Sequence, residues 1–350
     1  MVRQKRSVRT TKSVMSHGTL ATLSVIFMVP FAWLVVTSLK SESHMSSFPP
    51  EWMPRGEYVQ LGPDRWAEVV RNEIVEYAPI EYDPEGKAKP RVALKSKVDL
   101  VDAWGTPLDR EPTRIVESDK VVTRVRPTLR HYVKGAGAFG FKVFLQNTLF
   151  IAFVAVLGTV LSCSWVAFGF SILQWPGRDK LFYLMLSTLM LPGQVTMIPL
   201  FLIFKSLGWI NTYLPLLVPA FLGNAFFIFL LRQFFLTIPR DLIDAARVDG
   251  CSSLRIYWQI VMPLSIPALA TVALFTFLNS WNDFMGPLIY VVDEAKYTLS
   301  LGLAMFKGRF ANRYGEMMAV SVLMTIPIIV LFFFTQKTFI QGIKTSGMKG

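Results

Sequence analysis

Histidine and cysteine are nearly missing, with three His and two Cys in 350 residues. His17, His44 and His131 are scattered, so they supply no ligand set for a metal. Cys163 lies in an apolar run and Cys251 in a short polar motif, which gives neither a disulfide framework nor a zinc site. Each reads as a small buried residue. A GxxxxGK[ST] phosphate loop is absent, which excludes ATP hydrolysis by that device in this chain. The literal GxGxxG at Gly135–Gly140 lacks its context: the residues after it form an apolar run without an acid. It therefore reads as a flexible approach to that run and not as a dinucleotide fingerprint.

Charge is also scarce. Only 17% of residues are Asp, Glu, Lys or Arg, against 52% hydrophobic and 28 Phe, the composition of a membrane protein. The formal net charge of +12 raises nucleic acid as a partner. Its placement argues otherwise. Lys40–Gly140 holds 16 basic and 16 acidic residues, so the whole excess lies in short loops and tails of the apolar remainder. That is the pattern of membrane topology, and no nucleic acid partner is expected.

Six runs are long enough to cross a bilayer, which takes about 20 apolar residues. They are Gly18–Thr37, Asn147–Phe170, Leu181–Phe204, Leu214–Phe235, Ile266–Ile289 and Met317–Phe334. Residues 1–17 carry Arg3, Lys5, Arg6, Arg9 and Lys12 with no acid, and a signal peptide competes with a first span there. The run is long, its end lacks a small-x-small cleavage pattern, and five more runs follow. A first span is the better reading. With both termini inside, the inner segments carry 14 Lys/Arg and the short outer ones 6, so this orientation is favoured. It predicts a multi-pass protein surrounded by lipid, with residues 1–17 and 337–350 as cytoplasmic tails.

Residues 41–140 form a polar, extracytoplasmic insert. Arg91–Val101 and Arg114–Leu129 are rich in β-branched residues, and Asp102–Pro112 and Pro127 supply turns, so strand pairs are expected. Core 141–336 is all-α, and within it residues 237–263 form a cytoplasmic loop.

That loop is the most informative stretch. Asp244–Pro267 reads DAARVDGCSSLRIYWQIVMPLSIP. Pro239 suits a first helical turn. Gly250 can take the left-handed conformation that ends a helix, and Ser252 or Ser253 can cap the next. The second piece places Leu254, Tyr257, Trp258 and Val261 on one face until Pro263 breaks it.

Asp244-Ala245-Ala246, three residues, Gly250, nine residues, then Ile260-Val261-Met262-Pro263 resembles the cytoplasmic loop motif of ABC importer permeases. Asp244, Cys251 and Met262 depart mildly from the usual Glu, Ala and Leu, without changing the spacing. Leu191–Pro199, Leu230–Phe235, Ser280–Phe284 and the end Phe339–Ile343 are similar to the carbohydrate branch of that family, in particular its second, maltose-transporter-type permease. The resemblance covers about 19–40 and 141–350, and not the insert. It implies a type I importer in a prokaryotic inner membrane: this chain paired with a second permease, two ATP-binding cassette subunits and an extracytoplasmic solute-binding protein. ATP and Mg would be used by those ATPase subunits, with no cofactor on this chain, no catalytic residue and no metal. It also implies that the loop docks on the ATPase, through Asp244, Ala245, Ala246, Arg247, Asp249, Gly250 and Pro263. An amphipathic helix lying on lipid is the plainer alternative.

Polar residues inside spans mark pathways or helix contacts. Gln194, between Pro192 and Pro199, and Asn279, Asn282 and Asp283 in the fifth run are the candidates for a substrate path, with Trp281 as a stacking surface for a sugar. Asp283 reads rather as a polar helix contact or a position close to the outer interface, where water reaches it. Two other functions compete: a membrane-anchored sensor or enzyme whose insert is the active part, and a secondary transporter. The insert holds no nucleophile–base pair, and inverted repeats are not evident.

Overall fold

In this computed structural model the described residues are 2–41, 52–62, 65–77, 93–102, 113–138, 140–308 and 313–346. They fall into two compact units, Met1–Phe139 with Phe306–Met324, and Gly140–Met305 with Thr325–Gly350. The expected turn region 103–112 and the last four residues lie outside the described part.

The first unit opens with α1, Val2–Ser38. The basic tail expected at 1–17 is helical from Val2 onward and continuous with the apolar run. Five antiparallel strands follow: β1 (Arg55–Gly62), β2 (Arg65–Tyr77), β3 (Ala93–Val101), β4 (Thr113–Glu117) and β5 (Val121–Val125). Their order in the sheet is β4-β3-β2-β1-β5. Flat, the two edges would stand about 19 Å apart, from four spacings of about 4.8 Å. The single turn Ser118–Lys120 joins β4 to β5, and a chain that short reaches only about 14 Å. The sheet is therefore rolled. Inside the roll sit Val59, Ala67, Val69, Val98 and Leu100, with Val116 and Val121 from the two edges packed on them.

Tyr58 points to the other face, opposite Glu68, and its hydroxyl donates to the Arg126 carbonyl at 2.9 Å. Burial, with Glu68 beside it, pushes this phenol up to about 12. After the sheet, α2 (Arg130–Ala138) is tied to the end of α1 by Ser38 Oγ–Tyr132 Oη and His131 Nε2–Lys40 O, both 2.8 Å.

The second unit starts with α3, Phe141–Ser171. A tight turn leads into α4 (Arg178–Ser187) and, past a 3-10 turn, α5 (Gly193–Ser206). Next come α6 (Leu214–Leu217), a 3-10 turn over Val218–Phe221, and α7 (Ala225–Phe235). The cytoplasmic-loop region supplies α8 (Arg240–Val248), α9 (Ser253–Ile256), a π-helical turn at Tyr257–Val261 and α10 (Met262–Leu264). Then follow α11 (Ile266–Asn282), α12 (Met285–Tyr290) and α13 (Leu299–Ala304). The last helix, α14, runs Tyr314–Ser346.

Among the described residues four helices are long and apolar enough to cross a membrane: Met15–Ser38, Phe141–Ser171, Leu214–Phe235 and Tyr314–Thr335. Two bent pairs bring the number to six if each is one span. The expected span Leu181–Phe204 is one of them, bent by 98° between Met190 and Gly193. Leu191 before Pro192 is extended, as sterics ahead of proline require. The expected span Ile266–Ile289 is interrupted at Asp283–Phe284.

In the second unit α3 packs against the turn before α7. A Cβ on Gly158 would lie 2.7 Å from the Phe221 ring. Asn224 caps α7 by accepting from the Phe226 and Phe227 amides at 3.0 and 3.2 Å. Cys163 is fully buried beside it and its sulfur accepts the Asn224 amide at 3.2 Å, the small buried role expected of it.

Candidate functional site

The loop motif folds as two short helical pieces around a left-handed glycine. Pro239 is the residue before α8, with extended backbone, one position earlier than a first-turn proline. Gly250 has φ +78, with the Cys251 amide donating to the Ala246 carbonyl at 2.9 Å and the Gly250 amide to Arg247 at 3.0 Å. This is the paired bonding that ends a helix at a left-handed residue. Ser252 caps α9 by accepting from the Arg255 amide.

α8 has two unlike faces. Ile243 and Ala246, three residues apart, are buried in a core shared with Phe168, Leu231, Phe235, Ile256, Val261 and Val272. On the other face Asp244, Ala245, Val248, Asp249 and Gly250 are exposed, Val248 at 88%. Ala246 is thus turned away from the surface, where the sequence reading had grouped it with Ala245 as a docking residue. Asp244 and Arg247 pair with each other at 3.1 Å, and Arg247 also reaches the Ile172 carbonyl at 3.4 Å. A Cβ at Gly250 would meet nothing within 4 Å.

The second piece divides differently from the expectation. Ile256, Tyr257 and Val261 are buried, whereas Leu254 and Trp258 are half exposed at 53% and 51%. Pro263 is exposed and does not break the segment. It occupies the first turn of α10, where its missing N–H costs nothing. The break falls at Ser265, with a 78° bend between Ser253–Leu264 and Ile266–Asn282. Pro267 is the cause, since it cannot donate to, and crowds, the carbonyl four residues back.

Basic residues that topology counting treats as loop charge have specific partners. Arg232 donates to the Phe170 carbonyl at 3.1 Å, with its guanidinium 4.1 Å from the Phe182 ring centroid. Arg178 donates to the Leu173 carbonyl at 3.1 Å and pairs with Asp179 at 3.0 Å. The first of these bonds satisfies one of the last carbonyls of α3, and the second braces the Gln174–Lys180 turn that follows it.

Of the pathway candidates, Asn279 and Asn282 are exposed at the end of α11, and Gln194 is exposed in the first turn of α5. Trp281 is buried to 1% and stacked on Phe277, so its indole presents no open face to a sugar. Asp283 bridges the gap between α11 and α12: its carboxylate accepts the Gly286 amide at 3.0 Å, and Ser300 Oγ donates to its carbonyl. The carboxylate thus serves as a cap for α12. A recess of about 390 Å³ lined by Leu149, Phe153, Ala270, Ala273 and Phe277 has Thr335 as its polar member, chemistry suited to lipid and not to a saccharide.

Sequence reasoning missed two polar constructions. Asn211, left-handed at φ 62, accepts the Val292 and Asp293 amides and takes the Lys296 ammonium on its carbonyl at 2.8 Å. The Asn147 side chain donates to the Ala295 and Tyr297 carbonyls. Asn ahead of an apolar run gives no hint of a partner about 150 positions away. The second is a buried Ser164–Tyr257 pair at 2.8 Å.

Broken spans, an amphipathic helix with a bare outer face and a left-handed glycine beside it are what the described residues bring together. The chain belongs to the family of binding-protein-dependent transport system inner membrane components, whose model matches residues 167–345. It is 37% identical over 204 residues to the arabinooligosaccharides transport system permease protein AraQ of Halalkalibacterium halodurans, covering 58% of this chain and 73% of that one. It is 32% identical over 230 residues to the trehalose/maltose transport system permease protein MalG of Thermococcus litoralis, covering 64% and 82%. In fold it is similar to a chain from a bacterial ABC transporter involved in the import of alginate, with TM-score 0.62 and 19% identity over 93% of this chain and 95% of that one.

Proposed function

We propose that this chain moves a carbohydrate inward as one of two permeases in an ATP-driven importer. It works beside two ATPase subunits, which use ATP and Mg, and below an extracytoplasmic solute-binding protein. Both termini and residues 237–263 are cytoplasmic in this reading, and the rolled sheet is outside. The names of the relatives, which concern arabinooligosaccharides and trehalose or maltose, support a sugar or oligosaccharide as the solute. A polyol phosphate, as in the name of a third relative, belongs to the same range.

One observation carries the coupling role: Asp244, Ala245, Val248, Asp249 and Gly250 form a bare face on a helix whose other face is locked into the core. Small residues there let a groove on the ATPase approach the backbone, and Asp249 and the Asp244–Arg247 pair supply polar contacts at its rim. Closure of the ATPase dimer on ATP pushes this helix, and the core it belongs to transmits the push to α3, α7 and α11. The bends at Leu191–Gly193, Ser265 and Asp283–Phe284 are where spans can change direction. Broken helices at such places line solute paths in membrane transporters, and Gln194, Asn279, Asn282 and Asp283 stand at or near them.

The test is co-purification of the tagged chain from its source cells, reconstitution, and ATP-dependent uptake of tritiated maltotriose, trehalose, arabinotriose and glycerol 3-phosphate. A stable complex with an ATPase and uptake of at least one saccharide is expected. A complex that hydrolyses ATP and takes up amino acids but no saccharide or polyol phosphate refutes the carbohydrate reading.

A further inference from the structure

Between Gly250 and Ser265 the chain forms one helical piece, Ser253–Leu264, bounded by a left-handed glycine at one end and the 78° turn at the other. Near its middle stands Tyr257, 1% exposed, which opens the π-helical turn by accepting the Met262 amide on its carbonyl. Its ring is enclosed by Trp165 and Phe168 of α3 at centroid distances of 5.0 and 5.4 Å. Its hydroxyl lies 2.8 Å from Ser164 Oγ, also buried. The Ser164 hydroxyl donates back to the Val160 carbonyl at 2.5 Å, so its oxygen accepts from Tyr257. Around it Ile256 and Val261 share an apolar core with Cys163, Ala167 and Phe168 of α3, and apolar contacts allow sliding. A buried hydrogen bond fixes direction and has two states, made or broken.

We infer that the Tyr257–Ser164 bond is the latch that makes segment 253–264 and α3 move as one body when the coupling loop is pushed, with Tyr257 as a positioning residue. This rests on the proposed coupling role of the loop. Without the bond the segment swivels between its two bends, and motion of α8 is dissipated before it reaches α3. π-turns within helices occur frequently at functional sites, in keeping with that use.

Tyr257→Phe is a mild test, because Ser164 keeps its bond to Val160 and no buried polar atom is orphaned. Spin labels are placed at Leu254→Cys and Leu157→Cys, both exposed, with Cys251→Ala and with Cys163 left buried. Distances are read by double electron–electron resonance in the reconstituted complex, nucleotide-free and trapped with ATP and vanadate. The unmodified latch is expected to give one narrow separation, the same in both states. Tyr257→Phe is expected to at least double the width of the distribution while ATP hydrolysis stays within twofold, and Ser164→Ala to broaden it likewise. A wild-type separation that changes between the states, or a Tyr257→Phe distribution as narrow as wild type, overturns the latch. Saccharide uptake is scored separately, so a wild-type complex without uptake counts against the transport reading whatever the labels show.

Discussion

Substituting Gly250 separates folding from docking, because the two make opposite demands there. Its φ of +78 penalises a side chain through the backbone, whereas the space around it is open within this chain. Alanine in that conformation costs about 1 kcal/mol. Asparagine, which visits the left-handed region readily, costs a few tenths by the same reasoning. Neither loss unfolds a protein of ordinary stability. Docking ranks them the other way. Inserting one methyl group into a packed interface costs about 1–3 kcal/mol, and the larger Asn side chain intrudes further. Thermal unfolding of the purified chain is therefore expected to rank Gly above Asn above Ala. Affinity for the ATPase is expected to rank Gly above Ala above Asn, with Asn weaker than Gly by at least tenfold, since about 1.4 kcal/mol is a factor of ten. Titration of the ATPase onto vesicles holding each variant, read as stimulated hydrolysis, measures the second order. If Gly250→Asn binds as tightly as wild type, nothing packs against this glycine and the docking face is misassigned.

Two further expectations follow from the faces of α8 and from the gap after α11. Ala245→Arg should leave the melting temperature near wild type and abolish ATPase stimulation, while Ala246→Arg should destabilise the chain by several kcal/mol, since it drives a charge into the core beside Ile243 and Ile256. Equal melting temperatures for the two would contradict the assigned orientation. Asp283→Asn retains an oxygen for the Gly286 amide and should keep uptake, whereas Asp283→Ala should lose about 1 kcal/mol of stability, the value of a cap. Uptake abolished by Asn at unchanged stability would show that the charge itself works on the solute.

Legibility in the sequence followed the range of each interaction. The two-helix form of the motif was visible because a left-handed glycine and a serine cap act within a few residues, and both are where spacing put them. Apolar runs located the membrane helices, but mean composition does not register a bend. Leu191–Gly193 and Ser265 are set by single prolines whose effect depends on which carbonyl they face. In the insert β3 was readable from its β-branched residues. β1 and β2 were not, because Glu57, Glu68 and Arg71 interrupt their apolar positions and one face of the rolled sheet is polar. Arg114–Leu129 is rich in β-branched residues throughout, which hides the three-residue turn that sends its halves to opposite edges. Trp281 and Ala246 are buried for a reason no motif states: residue type and spacing do not tell which way a side chain faces, and packing does. The Tyr257–Ser164 pair, 93 positions apart, left no local mark.

The division of α8 into a face held by Ile243 and Ala246 and a face left bare has an evolutionary consequence. Its inner residues answer to α3, α7 and α11 of the same polypeptide and should drift in step with them. On the proposed coupling role, its outer residues answer to a groove encoded by another gene. One turn of helix thus keeps two clocks. A permease that changes its ATPase partner need rewrite only Asp244, Ala245, Val248 and Asp249, while a change in its own core leaves them untouched.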